Sequence, residues 1–180
     1  MIFEYIYPDS HREKVVFEQK STPRNRYKYI QAENKRKFIE DFLPSFISGQ
    51  KMVLFDPNHK QLVDFYKNKN INSLATINEI DAQLLFFTSG SSGFPLGAFK
   101  SKKNLEEEVL VLKKMIQKRK IKKVIVTVPF VHIYGVLAGL LLPFYLDDVT
   151  LVVKEAFLPY ELLEEASSEE CLIVTTPISR

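Results

Sequence analysis

The chain has 180 residues, of which 46% are hydrophobic and 26% charged, an ordinary mix for a soluble globular protein with enough apolar material for a core. A formal net charge of +3 is too mild to argue for a nucleic-acid partner. The single cysteine, Cys171, rules out an intrachain disulfide, reads as a small buried hydrophobe and fits a reducing cytoplasm, while Met1–Tyr5 lacks the basic and apolar regions of a secretory signal.

Residues 1–50 read as an irregular N-terminal segment with short strand-like pieces at Ile2–Tyr7 and Val15–Phe17. Arg24–Lys28 is a basic patch, expected as a solvated loop. From Asn34 an amphipathic helix is expected, with Phe38, Phe42 and Phe46 at spacing four and Ile39 and Leu43 on the same side. Pro44 should weaken or kink its second half. Residues 51–180 then settle into alternation. Met52–Phe55 reads as a strand, Asp56-Pro57-Asn58 as a turn, Gln61–Tyr66 as a short helix and Gln83–Thr88 as a buried strand. After a Ser/Gly-rich loop, Asn104 with Glu107 forms a capping-box-like start for a helix to about Lys118, striped by Leu105, Val109, Leu112 and Ile116. Val124–Val128 is the next strand, Gly135–Leu146 a buried helix, Val149–Val153 a strand, Pro159–Ala166 a helix and Leu172–Thr175 a last strand. Strands alternating with helices imply an α/β fold, a mostly parallel sheet with helices on its faces. The chain stops just after that last strand, which reads as an interruption of the pattern.

Val124–Leu146 carries no charge, follows a basic run (Lys118, Arg119, Lys120, Lys122, Lys123) and precedes Asp147-Asp148, so length and flanks suit a membrane span. The β-branched run stopping at Pro129, then Gly135, Gly139 and Pro143, fits a strand, a turn and a buried helix better, and no membrane span is expected. The basic run itself, with Lys113 and Lys114, reads as a solvated helix face and its exit; its functional reading is a docking surface for an acidic partner. Glu161, Glu164, Glu165, Glu169 and Glu170 balance it later in the chain. His11, His59 and His132 are isolated, and no metal-ligand spacing is present.

The most informative stretch is Thr88–Gly97, T-S-G-S-S-G-F-P-L-G, directly after the apolar run Leu84–Phe87. Glycines let backbone N–H groups approach an anion, and hydroxyls add rotatable donors, so Thr88, Ser89, Gly90, Ser91, Ser92 and Gly93 form a candidate phosphate cradle. The Walker spacing fails, because Ala98 follows Gly97 where a lysine is needed, and the dinucleotide glycine pattern fails too. About forty residues on comes Val128-Pro129-Phe130-Val131-His132-Ile133-Tyr134-Gly135, in which an isolated His132 would ordinarily be a core histidine.

The first pattern closely resembles the phosphate-binding loop of the adenylate-forming enzymes: acyl-CoA synthetases, peptide-synthetase adenylation domains and their relatives. The second resembles the family's next signature, in the family's order, and the resemblance covers about residues 83–176. Lys100–Val109 and His132–Gly135 are also similar to short acyl-synthetase-like proteins of bacterial fatty-acid and aryl-polyene-type gene sets. The resemblance implies that residues 51–180 are a partial AMP-binding α/β domain, the incomplete N-terminal part of such an enzyme's large domain. It implies part of an ATP-dependent, AMP-forming acid–thiol ligase, with ATP and Mg²⁺, a fatty or aryl carboxylic acid, and CoA or an acyl carrier protein as partners. It gives Thr88–Gly93 the departing phosphates, His132 a catalytic role, and Phe130, His132, Tyr134 and Gly135 the acid pocket.

Two departures stand against full activity. The family's loop ends in Pro-Lys-Gly, and Leu96 occupies the lysine position here, with Lys100 as the nearest candidate substitute. The family's later aromatic-Gly-x-Thr-Glu segment, ribose-binding aspartate and C-terminal lysine have no counterpart before Arg180. The chain alone is therefore expected to be inactive, and the alternative is a truncated or degenerate relative that binds a nucleotide or partner without catalysis. A sheet cut at its edge also makes association with copies, or with a missing C-terminal half, an expectation.

Overall fold

The computed structural model describes residues 2–16, 27–31, 34–56, 62, 64, 81–88, 96–167 and 170–176. Contacts divide the chain into two compact units, Met1–Glu18 with Glu107–Arg180, and Gln19–Glu106. Residues 2–16, within the segment read from the sequence as irregular, belong to the first unit. The physical reason is a long-range strand pairing that brings the N-terminus into the sheet of the C-terminal half.

That first unit is built on five strands: β1 (Ile2–Ile6), β2 (Arg12–Val16), β7 (Lys123–Val126), β8 (Thr150–Lys154) and β9 (Cys171–Val174), in the order β2-β1-β8-β7-β9. β1 and β2 form an antiparallel hairpin, whereas β1–β8, β8–β7 and β7–β9 are parallel. Val124, Ile125, Val126, Leu151, Val152 and Val153 are fully buried. Their uninterrupted apolar runs are those of parallel strands covered on both faces. On one face, Phe157, Leu162 and Ala166 pack against Ile6, Ile125 and Val152. Leu162 and Ala166 belong to α4 (Pro159–Ala166). The other face receives a π-helical segment, Gly135–Leu141, which continues into α3 (Leu142–Tyr145). The helix expected at Gly135–Leu146 is thus present but wider than an α-helix: the Leu142 N–H reaches back to the Leu137 carbonyl. Among the described residues no helix is long and apolar enough to cross a membrane.

The second unit holds β3 (Lys28–Gln31), β4 (Met52–Phe55), β5 (Leu84–Thr88) and β6 (Leu96–Lys100), in that order across the sheet, with α1 (Lys35–Ile47) beside them. β3–β4 and β4–β5 are parallel; β5–β6 is antiparallel. α1 starts where Asn34 accepts a hydrogen bond from the Lys37 N–H at 2.7 Å. Its apolar face buries Phe38, Ile39, Phe42, Leu43 and Phe46, with the three phenylalanine rings stacked in series at 5.5 and 6.0 Å. Pro44 lies inside this helix without ending it. At its C-terminal end the Gln83 side-chain amide donates to the carbonyls of Ser45 and Phe46 at 3.3 and 2.7 Å. Lys28 is no solvated loop residue; it opens β3 and its ammonium meets the Asp41 carboxylate at 2.9 Å. The rest of that basic patch, and most of the expected helix Gln61–Tyr66, lie outside the described residues.

β6 was not expected, and it moves the start of the following helix. α2 runs Lys102–Ile116. Ser101 is its cap: the Asn104 N–H donates to Ser101 Oγ at 3.1 Å, and the Ser101 N–H donates back to Asn104 Oδ1 at 3.3 Å. The reciprocal box is thus Ser101 with Asn104, one turn before the expected Asn104 with Glu107. Ser101→Ala should lower stability by about 1 kcal/mol in urea unfolding, and Glu107→Ala by less than about 0.5 kcal/mol. Equal losses would contradict this start of the helix.

Candidate active site

The candidate phosphate loop is closed by the β5–β6 hairpin. Thr88 pairs with Leu96, Phe87 with Gly97 and Leu84 with Lys100. Ser89, Gly90, Ser91, Ser92 and Gly93, with Phe94 and Pro95, lie outside the described residues. The stem places both ends of the loop at the carboxyl end of β5, which runs parallel to β4. In open α/β sheets this end is the usual place for a ligand. The stem is anchored by Leu85, buried with Val53 and Phe55, and by Phe87 and Phe99 packed on that cluster.

Leu96, where the family resemblance expects lysine, is 63% exposed at the mouth of the hairpin. Lys100 sits at the other end of β6, opposite Leu84. Four residues of strand separate it from Leu96 by about 13 Å, farther than a lysine side chain extends. Lys100 therefore lies one strand length from the position of Leu96.

His132–Gly135 belongs to the other unit, at the carboxyl end of β7. Past Val126 the chain is tied to β9: the Thr127 N–H and Oγ1 both donate to the Val174 carbonyl, at 3.0 and 3.3 Å. A tight reversal follows. Phe130 turns inward and is buried, while Pro129, His132 and Tyr134 remain exposed. The π-helical segment begins here, the Val136 N–H donating to the His132 carbonyl at 3.0 Å. Gly135 fits because it has no side chain: a Cβ would lie 2.0 Å from the Pro129 carbonyl oxygen. Gly139 packs closely too, with its Cβ position 3.0 Å from Val126 Cγ1 and 3.2 Å from Phe130 Cε1.

The four expected pocket residues thus divide by role. Phe130 and Gly135 build the turn from inside. His132 and Tyr134 face outward at the carboxyl ends of β7 and β9, where the Tyr134 hydroxyl lies 3.5 Å from the Thr175 carbonyl. The His132 ring makes no hydrogen bond to a described residue. Thr127 and Thr175 extend the same rim. Sequence reading passed over them because each looked only like the end of a strand.

A charged cluster lies elsewhere in this unit. Glu165, nearly fully buried, accepts from Arg12 at 2.6 Å and from Lys123 at 2.8 Å. Burial alone pushes its carboxyl up, but hydrogen bonds from Arg12 and Lys123 outweigh this and hold it below the ordinary carboxylate value. Lys154 pairs with Glu161 at 2.7 Å. Arg12, Glu165, Lys154 and Glu161 line a cavity of about 240 Å³ together with Ser10 and Phe157. Their charges satisfy one another, which suits a structural role. Among the described residues no group of three or more His, Cys, Asp or Glu side chains is placed to hold a metal.

No protein-family model and no curated protein matches the chain. Solved structures do. A malonyl-CoA ligase bound to methylmalonyl-CoA and AMP superposes with a TM-score of 0.62 at 15% identity, over 80% of this chain and 38% of that one. An o-succinylbenzoate CoA synthetase from Bacillus subtilis gives 0.62 at 18% identity, over 91% and 43%. A fatty acyl-adenylate ligase from L. pneumophila, bound to acyl adenylate and pyrophosphate, gives 0.60 at 15%, over 90% and 37%. The fold is α/β with mostly parallel strands, and it is shared with part of each of these ligase structures. The chain spans less than half the length of these structures.

Proposed function

We propose that the chain is part of an ATP-dependent, AMP-forming ligase that joins a fatty or aryl carboxylic acid to the thiol of CoA or of an acyl carrier protein. The observation that carries this reading is the ordered pair of motifs, Thr88–Gly97 and Val128–Gly135, each at the carboxyl end of a parallel strand in a fold shared with such ligases. In the reaction the substrate carboxylate attacks the α-phosphorus of ATP, and the bond to pyrophosphate breaks. A thiol then attacks the acyl-adenylate carbonyl and AMP leaves. Catalysis is positioning plus charge stabilisation.

On this reading Thr88 and the loop through Gly93 hold the departing phosphates by backbone N–H groups and hydroxyls. His132 donates a hydrogen bond that holds the carboxylate in place for attack, and Tyr134 borders the acid, both on a turn that Phe130 and Gly135 keep in place. Mg²⁺ neutralises charge in such phosphate chemistry, but the described residues offer no carboxylate set that fits it, so no step is assigned to it. The reading places the protein in the cytoplasm with its nucleotide and thiol substrates.

The test is acid-dependent exchange of labelled pyrophosphate into ATP by the complete gene product, across a panel of fatty and aryl acids. Exchange with at least one acid is expected, and His132→Ala should lower it about 100-fold with unchanged thermal unfolding, because the ring is exposed. Absence of exchange with every acid would sink the ligase reading. Leu96 favours one second reading, a relative that binds nucleotide or partner without turnover. There, calorimetry detects ATP while exchange stays absent. If Leu96→Lys restores exchange, simple degeneracy is wrong.

A further inference from the structure

Two threonines end neighbouring parallel strands beside the turn that displays His132 and Tyr134. Thr127 follows β7 and Thr175 follows β9, and the two strands pair in register up to Val126 opposite Val174. The Thr127 N–H carries this ladder one step further, to the Val174 carbonyl at 3.0 Å. The Thr127 hydroxyl adds a second donor to the same oxygen, at 3.3 Å. A carbonyl has two lone pairs and accepts both. Strand pairing alone has no use for the hydroxyl, since valine has the same branched shape and an equal preference for strands.

The hydroxyl holds the entrance of the turn. Beyond Thr127 the side chains of Val128, Phe130 and Val131 are buried, and the chain emerges at the exposed His132. The exit is fixed separately. The Val136 N–H donates to the His132 carbonyl at 3.0 Å, and Gly135 lies against the Pro129 carbonyl. The Tyr134 hydroxyl comes to 3.5 Å from the Thr175 carbonyl. The end of β9 therefore meets the turn on both sides, through Val174 at its entrance and Thr175 near its exit. Losing the hydroxyl bond loosens the entrance while the exit contacts persist, so the turn shifts without unfolding.

We propose that Thr127 is a positioning residue for the acid half of the reaction: its hydroxyl, acting through the Val174 carbonyl, sets where His132 meets the substrate carboxylate. This rests on the ligase reading given above for His132. A shift of about 1 Å in a group that orients a reactant can lower a rate about 100-fold, and loosening one end of a turn should cost about 10-fold. The effect belongs to the acid alone. The candidate phosphate loop follows β5 in the other sheet, so the concentration of ATP that half-saturates the reaction should not change.

The test compares Thr127→Val with Thr127→Ser in the complete gene product. Valine keeps the branched shape and loses the hydroxyl; serine does the reverse. A strand-end residue with no further role would tolerate valine and lose stability with serine. The proposal predicts the opposite order in acid-dependent pyrophosphate exchange: Thr127→Val falls about 10-fold, with more acid needed for half-saturation, while Thr127→Ser stays within about 2-fold of wild type. The unfolding midpoint of Thr127→Val should not drop. Amide hydrogen exchange reads the turn itself, and the Val136 N–H should lose protection in Thr127→Val and keep it in Thr127→Ser. Wild-type exchange with an unaffected Thr127→Val, or with equal losses in both variants, would overturn the proposal and leave the ligase reading standing. A loss of activity in Thr127→Val with unchanged protection of Val136 would overturn it too, because the hydroxyl would then act on the substrate directly. A wild-type protein without exchange would sink the ligase reading and the proposal with it.

Discussion

Gly135→Ala should lower stability by about 3 kcal/mol or more, the largest effect expected of a single methyl group at the described glycines. The added Cβ would stand 2.0 Å from the Pro129 carbonyl oxygen, 2.9 Å from its carbon and 3.1 Å from Phe130 Cα. All three are backbone atoms of the same tight turn, so no side-chain tip can swing aside. The turn must open, and opening it displaces the buried Phe130 ring and the start of the π-helical segment. Gly139→Ala is the control. Its Cβ would meet only the ends of Val126 and Phe130, at 3.0 and 3.2 Å, which can give by a few tenths of an ångström, and a cost of about 1 kcal/mol is expected. Urea unfolding of both variants reads the difference. A neutral Gly135→Ala would mean that the turn carrying His132 and Tyr134 is wrongly drawn.

Glu165→Ala is expected to cost about 3 kcal/mol, because it removes the buried carboxylate that meets the largely buried Lys123 ammonium at 2.8 Å and Arg12 at 2.6 Å. Replacing the Lys123 pair as a whole, Glu165→Leu with Lys123→Met, should recover most of that loss, since well-packed apolar groups can take the place of a buried pair. The sign with pH follows from the depressed carboxyl. Its folded value lies below its unfolded value, so its contribution is complete above the ordinary carboxylate range and is lost as pH falls through the folded value. Wild-type unfolding midpoints should therefore drop on acidification more steeply than those of Glu165→Gln. Parallel profiles would show that Arg12 and Lys123 do not stabilise the charged carboxylate.

The parts of the fold that were legible in the sequence are those whose signal is local. β4, β7 and β8 announce themselves as short β-branched or apolar runs because both their faces are buried, β9 shows the same apolar run although its Ile173 is exposed at the sheet edge, and Pro159 marks the first turn of α4. β6 was missed because Leu96–Lys100 has a glycine at its second position and a half-exposed pattern that reads as more loop. The pairing of β1 with β8, some 150 residues apart, leaves no local trace at all. The same holds for the candidate site. The composition and order of Thr88–Gly97 and Val128–Gly135 were visible. That Lys100 is held one strand length from Leu96, and that Phe130 and Gly135 support a turn displaying His132 and Tyr134, depend on pairing and packing.

The ligase reading rests on one claim, that the loop after β5 holds the phosphates of a nucleotide, and calorimetric titration with ATP tests it most directly. The account predicts saturable one-to-one binding that is lost in Ser91→Glu, where a carboxylate would repel the phosphates, while the unfolding midpoint stays unchanged. No heat with ATP under any buffer condition, or full binding by Ser91→Glu, would contradict it.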